Sequence, residues 1–223
     1  MKRRLTLALL AGAALAAALP PGRALAAWFD QVKGTGDVAT QQRTVGSFTR
    51  VVVKGSIDVA VTVGKPQSVA VEAQPNIAEI VETKVDGAAL VVSTTKSYST
   101  NKKATVRITV PALAGVELNG SSNLTVDGAR GASLEIALSG SGDIRAAGSV
   151  DKLTYSCSGS GSADLRKLQA KTADVSISGS GDAKVAAADA LTVTISGSGD
   201  VVYYGSPRLN QKIRGSGSVS QGH

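Results

Sequence analysis

The pentapeptide Ser178-Gly179-Ser180-Gly181-Asp182 recurs as SGSGD at Ser196–Asp200 and Ser139–Asp143, with near copies SGSGS at Ser158–Ser162 and RGSGS at Arg214–Ser218. Aligned on the first glycine of each Gly-Ser unit, the chain gives Gly120, Gly140, Gly159, Gly179, Gly197 and Gly215, at spacings of 20, 19, 20, 18 and 18 residues. A sustained period of this length is the signature of a stacked repeat architecture. An earlier unit, VVVKGSID at Val51–Asp58, has the same layout, and the segment from 60 to 112 that follows it is longer and less regular.

The columns of this alignment set the secondary structure. Two residues before the glycine stand Val53, Leu118, Leu138, Cys157, Ile177, Ile195 and Ile213, and four before it stand apolar residues in every unit except the last, which has Gln211. Apolar residues spaced by two, with Ser, Thr, Glu and Lys between them, describe a strand with one buried face. The alternation resumes after the glycines, as in Ile144/Ala146 and Ala183/Val185, so a second strand follows each corner. A third short segment, such as Val150–Leu153 or Ala186–Leu191, completes a coil of 18–20 residues. The expected fold is all-β: a parallel β-helix, or solenoid, with a less regular N-terminal β region. Each coil buries little alone and stacks on its neighbours.

The pentapeptide is then a corner. Glycine accepts backbone angles that other residues resist. The Ser that follows it can hydrogen-bond the turn or its counterpart in the next coil. Asp58, Asn123, Asp143, Asp182 and Asp200, with Ser162 and Ser218 in the remaining coils, are expected to cap local backbone donors.

The first 26 residues read as a cleaved signal peptide: Lys2, Arg3 and Arg4 form a basic start, Leu5–Leu19 an apolar run, and Ala24-Leu25-Ala26 a small-residue cleavage site. The apolar run falls short of the roughly 20 residues a membrane span needs. The expectation is an exported chain, periplasmic, secreted or at the cell surface, with no membrane span after cleavage near Ala26. Residues 27–44 are assigned to an N-terminal extension and 45–220 to a single domain. Losing the leader removes four basic and no acidic residues, so the formal charge falls from +7 to +3. That mild excess lacks the clustered Lys and Arg of a nucleic-acid-binding surface. The single cysteine, Cys157, rules out an internal disulfide, and its column points it into the core as a small hydrophobe. The one histidine, His223, is the last residue, which argues against a histidine triad or a His/Cys zinc site.

The chain resembles the head GIN domain family, a putative autotransporter adhesin domain of unknown function. The resemblance rests on GSFTRVVVKGSIDVAVTVG at Gly46–Gly64, SVAVEAQPNI at Ser68–Ile77, VRITVPALAGVELNGSSNL at Val106–Leu124 and the SGSGD series, and covers about residues 45 to 220. It implies an exported bacterial β-helical domain and carries with it no reaction, ligand or catalytic residue.

The chemical readings of the motif divide on what accompanies it. A phosphate-binding loop needs a helix after the glycines, and here a strand follows. Asp182 and Asp200 fall on adjacent coils, about 4.8 Å apart if in register, a spacing that invites a cation. Ser162, however, interrupts the acidic ladder. The same pair, with Lys184 nearby, is the only basis for the alternative of a polysaccharide-processing β-helix enzyme. Only 3% of residues are aromatic, which is poor provision for sugar platforms, and the coils from 120 to 220 carry no long inserted loop to form a cleft. The favoured expectation is a noncatalytic binding or structural module without metal or cofactor. Its partner would be an envelope component, a glycan or a cell surface. Trp28, Tyr98 and Tyr204 are the candidate exposed rings. The stretch Thr94–Thr105, read as a solvated hairpin loop, offers the candidate contact residues Tyr98, Lys102 and Lys103.

Overall fold

A computed structural model of the chain describes residues 31–223. The leader expected over residues 1–26, its cleavage site and Trp28 lie outside the described residues. The irregular part comprises β1 (Val32–Lys33), β2 (Ala39–Arg43), β3 (Arg50–Gly55), β4 (Asp58–Val63), β5 (Ser68–Ala73), the short helix α1 (Pro75–Ala78), β6 (Val81–Asp86), β7 (Ala89–Thr94), β8 (Tyr98–Ser99) and β9 (Thr105–Val110). Regular coils start at β10 (Gly115–Gly120) and continue through the long bent strands β11 (Asn123–Gly140), β12 (Asp143–Gly159), β13 (Ser162–Gly179) and β14 (Asp182–Gly197). β15 (Val201–Tyr204), β16 (Arg208–Gly215) and β17 (Val219–Gln221) complete the stack, a β-solenoid of about 5 turns.

The long strands turn a corner midway and so belong to two faces. The first face runs β6-β7-β3-β10-β11-β12-β13-β14-β16, and the second runs β2-β5-β9-β4-β11-β12-β13-β14-β15-β17. Pairing along both is parallel except at the N-terminal end, where β6/β7, β5/β9 and β2/β5 are antiparallel. The glycine columns stack in register, with Gly55 against Gly120 and then Gly140, Gly159, Gly179, Gly197 and Gly215. Between the faces lies an aliphatic core in which Val53, Leu118, Leu138, Cys157, Ile177 and Ile195 are buried, as is the column of Val51, Val116, Ile136, Tyr155, Val175 and Val193. In the last coil the first of these columns ends on Ile213, 37% exposed, and Leu209, which continues Leu191, is 38% exposed. Among the described residues β16 has a neighbour on one side only.

The corner chemistry is more specific than a flexible turn. Gly179 has φ +129, and a Cβ there would lie 2.4 Å from the carbonyl oxygen of Gly159 in the coil before. Gly181 needs its hydrogen for packing alone, since a Cβ would meet the Cys157 sulfur at 2.6 Å and the Gly161 carbonyl at 2.6 Å. The Ser between them bonds the preceding coil through its backbone amide, as in Ser180 N–H to Gly159 O at 2.9 Å and Ser198 N–H to Gly179 O at 2.9 Å. The third-position carboxylates do not cap their own turns. Asp182 Oδ1 accepts the Asp200 amide at 3.0 Å, and Asp200 Oδ1 accepts the Ser218 amide at 2.8 Å and its hydroxyl at 2.7 Å. Each carboxylate reaches the coil ahead because the parallel register places that amide directly beside it.

Differences in coil length are absorbed at another corner, between the second face and the return segment. There Leu165 and Gln169 of β13 stand against Val185 and Ala186 of β14, three residues fewer, and one is regained where Ala170 and Thr172 meet Ala187 and Ala190. Smaller shifts of one residue occur between Val126 and Ala129 and between Arg145 and Ala147. The stretch Thr94–Thr105 is not a hairpin. Its β8 pairs in parallel with β1, because the backbone donors of β1 find their acceptors there, as in Val32 N–H to Ser97 O at 2.9 Å. At this same end α1 buries Ile77 and Ala78 against the core. Among the described residues no helix is long and apolar enough to cross a membrane.

Candidate functional site: a charged groove across the coils

On the second face the side chains that point outward just after each glycine corner form columns running along the stack. Thr125, Arg145, Asp164, Lys184 and Val202 occupy one column, and Asp143, Ser162 and Asp182 occupy the one beside it. Adjacent members of a column are one strand spacing apart, about 4.8 Å. Charge therefore alternates Arg, Asp, Lys down the centre while carboxylates flank it. These residues line a shallow groove of about 310 Å³, floored by the strands at Ile144, Ala163 and Ala183, whose side chains are buried in the core beneath.

The groove continues to the corner where coil lengths vary. There Asp127, Arg145, Asp164, Arg166 and Lys167 surround a depression of about 560 Å³. Beyond Arg166 it reaches a third hollow, about 480 Å³, walled by Gln169, Ala188 and Tyr204. The unequal coil lengths make this surface stepped, whereas the equal lengths at the glycine corner keep that one flat. The site thus runs from the regular columns beside the glycine corner to the part where the repeat is least regular.

Asp164 and Arg166 organise the middle of the groove. Arg166 donates from Nε to Asp164 Oδ1 at 2.8 Å and from Nη2 to Oδ2 at 2.5 Å, a bidentate pair. The guanidinium holds the Asp164 carboxyl down at about 2. The same guanidinium lies 6.0 Å from the centre of the Tyr204 ring, within range of a cation–π contact. Arg145 and Lys167 point into the groove without a salt bridge to any described residue. The surface therefore offers free donors from Arg145 and Lys167 and an aromatic ring fixed by Arg166, with acceptors from Asp127 and Asp143. This mixture suits hydroxyl-rich ligands, whose groups both donate and accept.

The residues singled out in the sequence fall in three places. Asp182 and Lys184 line the groove, but Asp200 does not, and both carboxylates are engaged by backbone amides of the following coil. Tyr98, Lys102 and Lys103 lie near the N-terminal strands. The Tyr98 hydroxyl donates to Ser56 O at 3.2 Å, and the half-buried ring has its pKa raised, chiefly by burial and then by Asp58. Lys102 Nζ donates to Gly36 O at 3.0 Å and to Asp37 Oδ1 at 2.7 Å, which holds the Asp37 carboxyl below its ordinary value; Lys103 is exposed. Cys157 is buried, its thiol pKa pushed up by burial. Among the described residues no group of three or more His, Cys, Asp or Glu side chains comes together as a metal cluster. Arg145, Asp164, Arg166 and Lys167 escaped the sequence reading, which followed the buried columns; the signal was the outward positions between them.

Solved structures share this architecture. The chain is similar to a "putative adhesin" from Bacteroides fragilis, at 20% identity and a TM-score of 0.70, over 85% of this chain and 99% of that one. A "putative adhesin" from Parabacteroides merdae matches at 22% identity and a TM-score of 0.58, over 87% and 100%. A "putative lipid binding protein" from Parabacteroides distasonis matches at 21% identity and a TM-score of 0.54, over 86% and 100%. At these identities the likeness is one of fold. No protein with a curated description matches the chain. A family profile described as "Putative auto-transporter adhesin, head GIN domain" matches residues 47–207, most of the chain. With the glycine ladder, the paired faces and this match in place, the chain belongs to the head GIN domain family.

Proposed function

We propose that this protein is an exported, noncatalytic, adhesin-like module that binds an extended glycan of the cell envelope or a neighbouring cell surface in the groove of the second face. The observation that carries this reading is the alternation of Arg145, Asp164 and Lys184 down one column, flanked by Asp143 and Asp182. A chain of sugar hydroxyls lying across the coils meets a donor or an acceptor at every strand. The Tyr204 ring, held by Arg166, supplies an apolar face at one end. Family membership supports the adhesin-like role. The leader-like first 26 residues support export. Engagement of the Asp182 and Asp200 carboxylates by backbone amides favours a structural role for them over an acid–base pair.

The test is a glycan array probed with the purified chain, followed by the variants Arg145→Ala, Lys184→Ala and Tyr204→Ala with their folds checked by circular dichroism. The expected result is binding to one class of glycan, reduced roughly tenfold or more by each variant, since each removes about 1.4 kcal/mol or more of contact energy. Glycan binding unchanged in all three variants would move the site elsewhere on the surface. Conversion of a bound oligosaccharide to shorter products would show an enzyme instead.

A further inference from the structure

The first face ends on two strands of opposite charge. At one end β16 carries Arg208, Lys212 and Arg214 and no acidic residue, and all of its residues are exposed. At the other end β6 carries Glu82 and Asp86 against the single Lys84. Each has one hydrogen-bonded neighbour among the described residues, β14 for β16 and β7 for β6. Open strand edges of this kind are templates for pairing with another chain. We infer that they pair with each other: β16 of one copy of this chain adds to β6 of a second copy, in a head-to-tail assembly that continues the first face from molecule to molecule.

Strand direction permits this. β16 runs parallel to every strand of the face back to β7, while β6 runs antiparallel to β7. A second copy placed further along the solenoid axis in the same orientation therefore presents its β16 antiparallel to β6. In β16 the residues facing the core side are Leu209, Gln211 and Ile213, continuing the columns of Leu191, Val193 and Ile195. In β6 they are Val81, Thr83 and Val85, the last two beside Val92 and Leu90.

One register matches both carboxylates of β6 and all three of its core-side residues, with Glu82, which pairs with Lys84 of its own strand at 3.1 Å, gaining a second cation. With Lys212 opposite Glu82, Arg208 falls opposite Asp86, Leu209 opposite Val85, Ile213 opposite Val81, and Gln211 opposite Thr83. Sliding by two residues in one direction places Lys212 opposite Lys84, and in the other places Arg208 opposite Lys84, so both neighbouring registers set like charges together. Sliding by one residue turns the apolar set outward. Cross-strand pairs of opposite charge and of apolar side chains stabilise such a joint, and like charges oppose it. The contact is heterologous, so it propagates into open chains unless the rotation between copies closes a ring.

The test uses the purified chain in two steps. Sedimentation across a concentration series at low ionic strength should show growth beyond the monomer that is reversed by salt, because the charged pairs are exposed. Arg208→Glu with Lys212→Glu should weaken association at least about tenfold, the effect of about 1.4 kcal/mol lost. Mixing that variant with Glu82→Lys, Asp86→Lys should restore it. The register is read from Asn210→Cys mixed with Lys84→Cys and a short thiol cross-linker. These two positions face each other in the joint, and the native Cys157 is buried. Cross-linking in the mixture, and not in either variant alone, supports the joint. A chain that stays monomeric at low salt overturns it. So does self-cross-linking of Asn210→Cys alone, which would indicate a symmetric pairing of C-terminal ends. A charge-reversed variant that associates as well as the parent overturns it too.

Discussion

A methyl group at Gly179 would meet the Gly159 carbonyl at 2.4 Å on a backbone whose φ is +129, and both penalties act at once. Gly179→Ala is therefore expected to destabilise the chain by about 3 kcal/mol or more, combining backbone strain with overpacking. Gly46, where a Cβ meets nothing within 4 Å, is the control: Gly46→Ala should leave the thermal midpoint unchanged or slightly raised. Asp164 makes a pH-dependent contribution of predictable sign. Its folded pKa of about 2 lies below the ordinary carboxylate value because of Arg166, so the stabilisation is present above about pH 4 and is lost as pH falls towards 2. The pair is partly exposed, so the effect is less than about 1 kcal/mol. Thermal melts of the parent and Asp164→Asn should differ at pH 6 and converge near pH 2.

At the scale of the coil, the two corners differ in what they tolerate. The glycine corner stacks backbone on backbone in strict register, whereas the opposite corner absorbs shifts of one to three residues between coils. One alanine inserted between Lys167 and Leu168 should cost under about 1 kcal/mol, since added loop length is cheap. The same insertion between Gly159 and Ser160 should abolish cooperative melting, because every later side chain in that coil would change face. Ile177, fully enclosed between Cys157 and Ile195, should cost about 2 to 5 kcal/mol on truncation to alanine, read from chemical denaturation. The strand period and the inward columns were legible in the sequence because every coil restates them. The path of Thr94–Thr105 was not, since β8 finds its partner β1 more than sixty residues earlier in the chain, a pairing without a local signature.

For the whole molecule, stability is shared between neighbouring coils, and the N-terminal end is closed by antiparallel strands and α1 while β16 leaves the core columns exposed. Cys157 sits in the middle of the stack and reports on it. Thiol labelling of the native chain should be slow, and its rate in rising denaturant should follow the global unfolding free energy, since exposing this side chain means separating coils on both sides. Rapid labelling without denaturant would show that the coils around it open on their own.

What the sequence determined by itself was the coil: its strand period, its buried columns, the glycine corner and the parallel stacking, all local and repeated from Gly120 to Gly215. What only the tertiary structure decided was everything that depends on which coil lies beside which. The Asp182 and Asp200 carboxylates cap the coil ahead rather than their own turn, and Arg145, Asp164 and Lys184 become one column across three coils. The acidic β6 and the basic β16, more than a hundred residues apart, become the two ends of a single face. A repeating pattern specifies what each coil looks like from within. The surface columns, steps and edges arise only when coils of unequal length are laid in register, because neighbours in space are then set by hydrogen-bond pairing and not by distance along the chain.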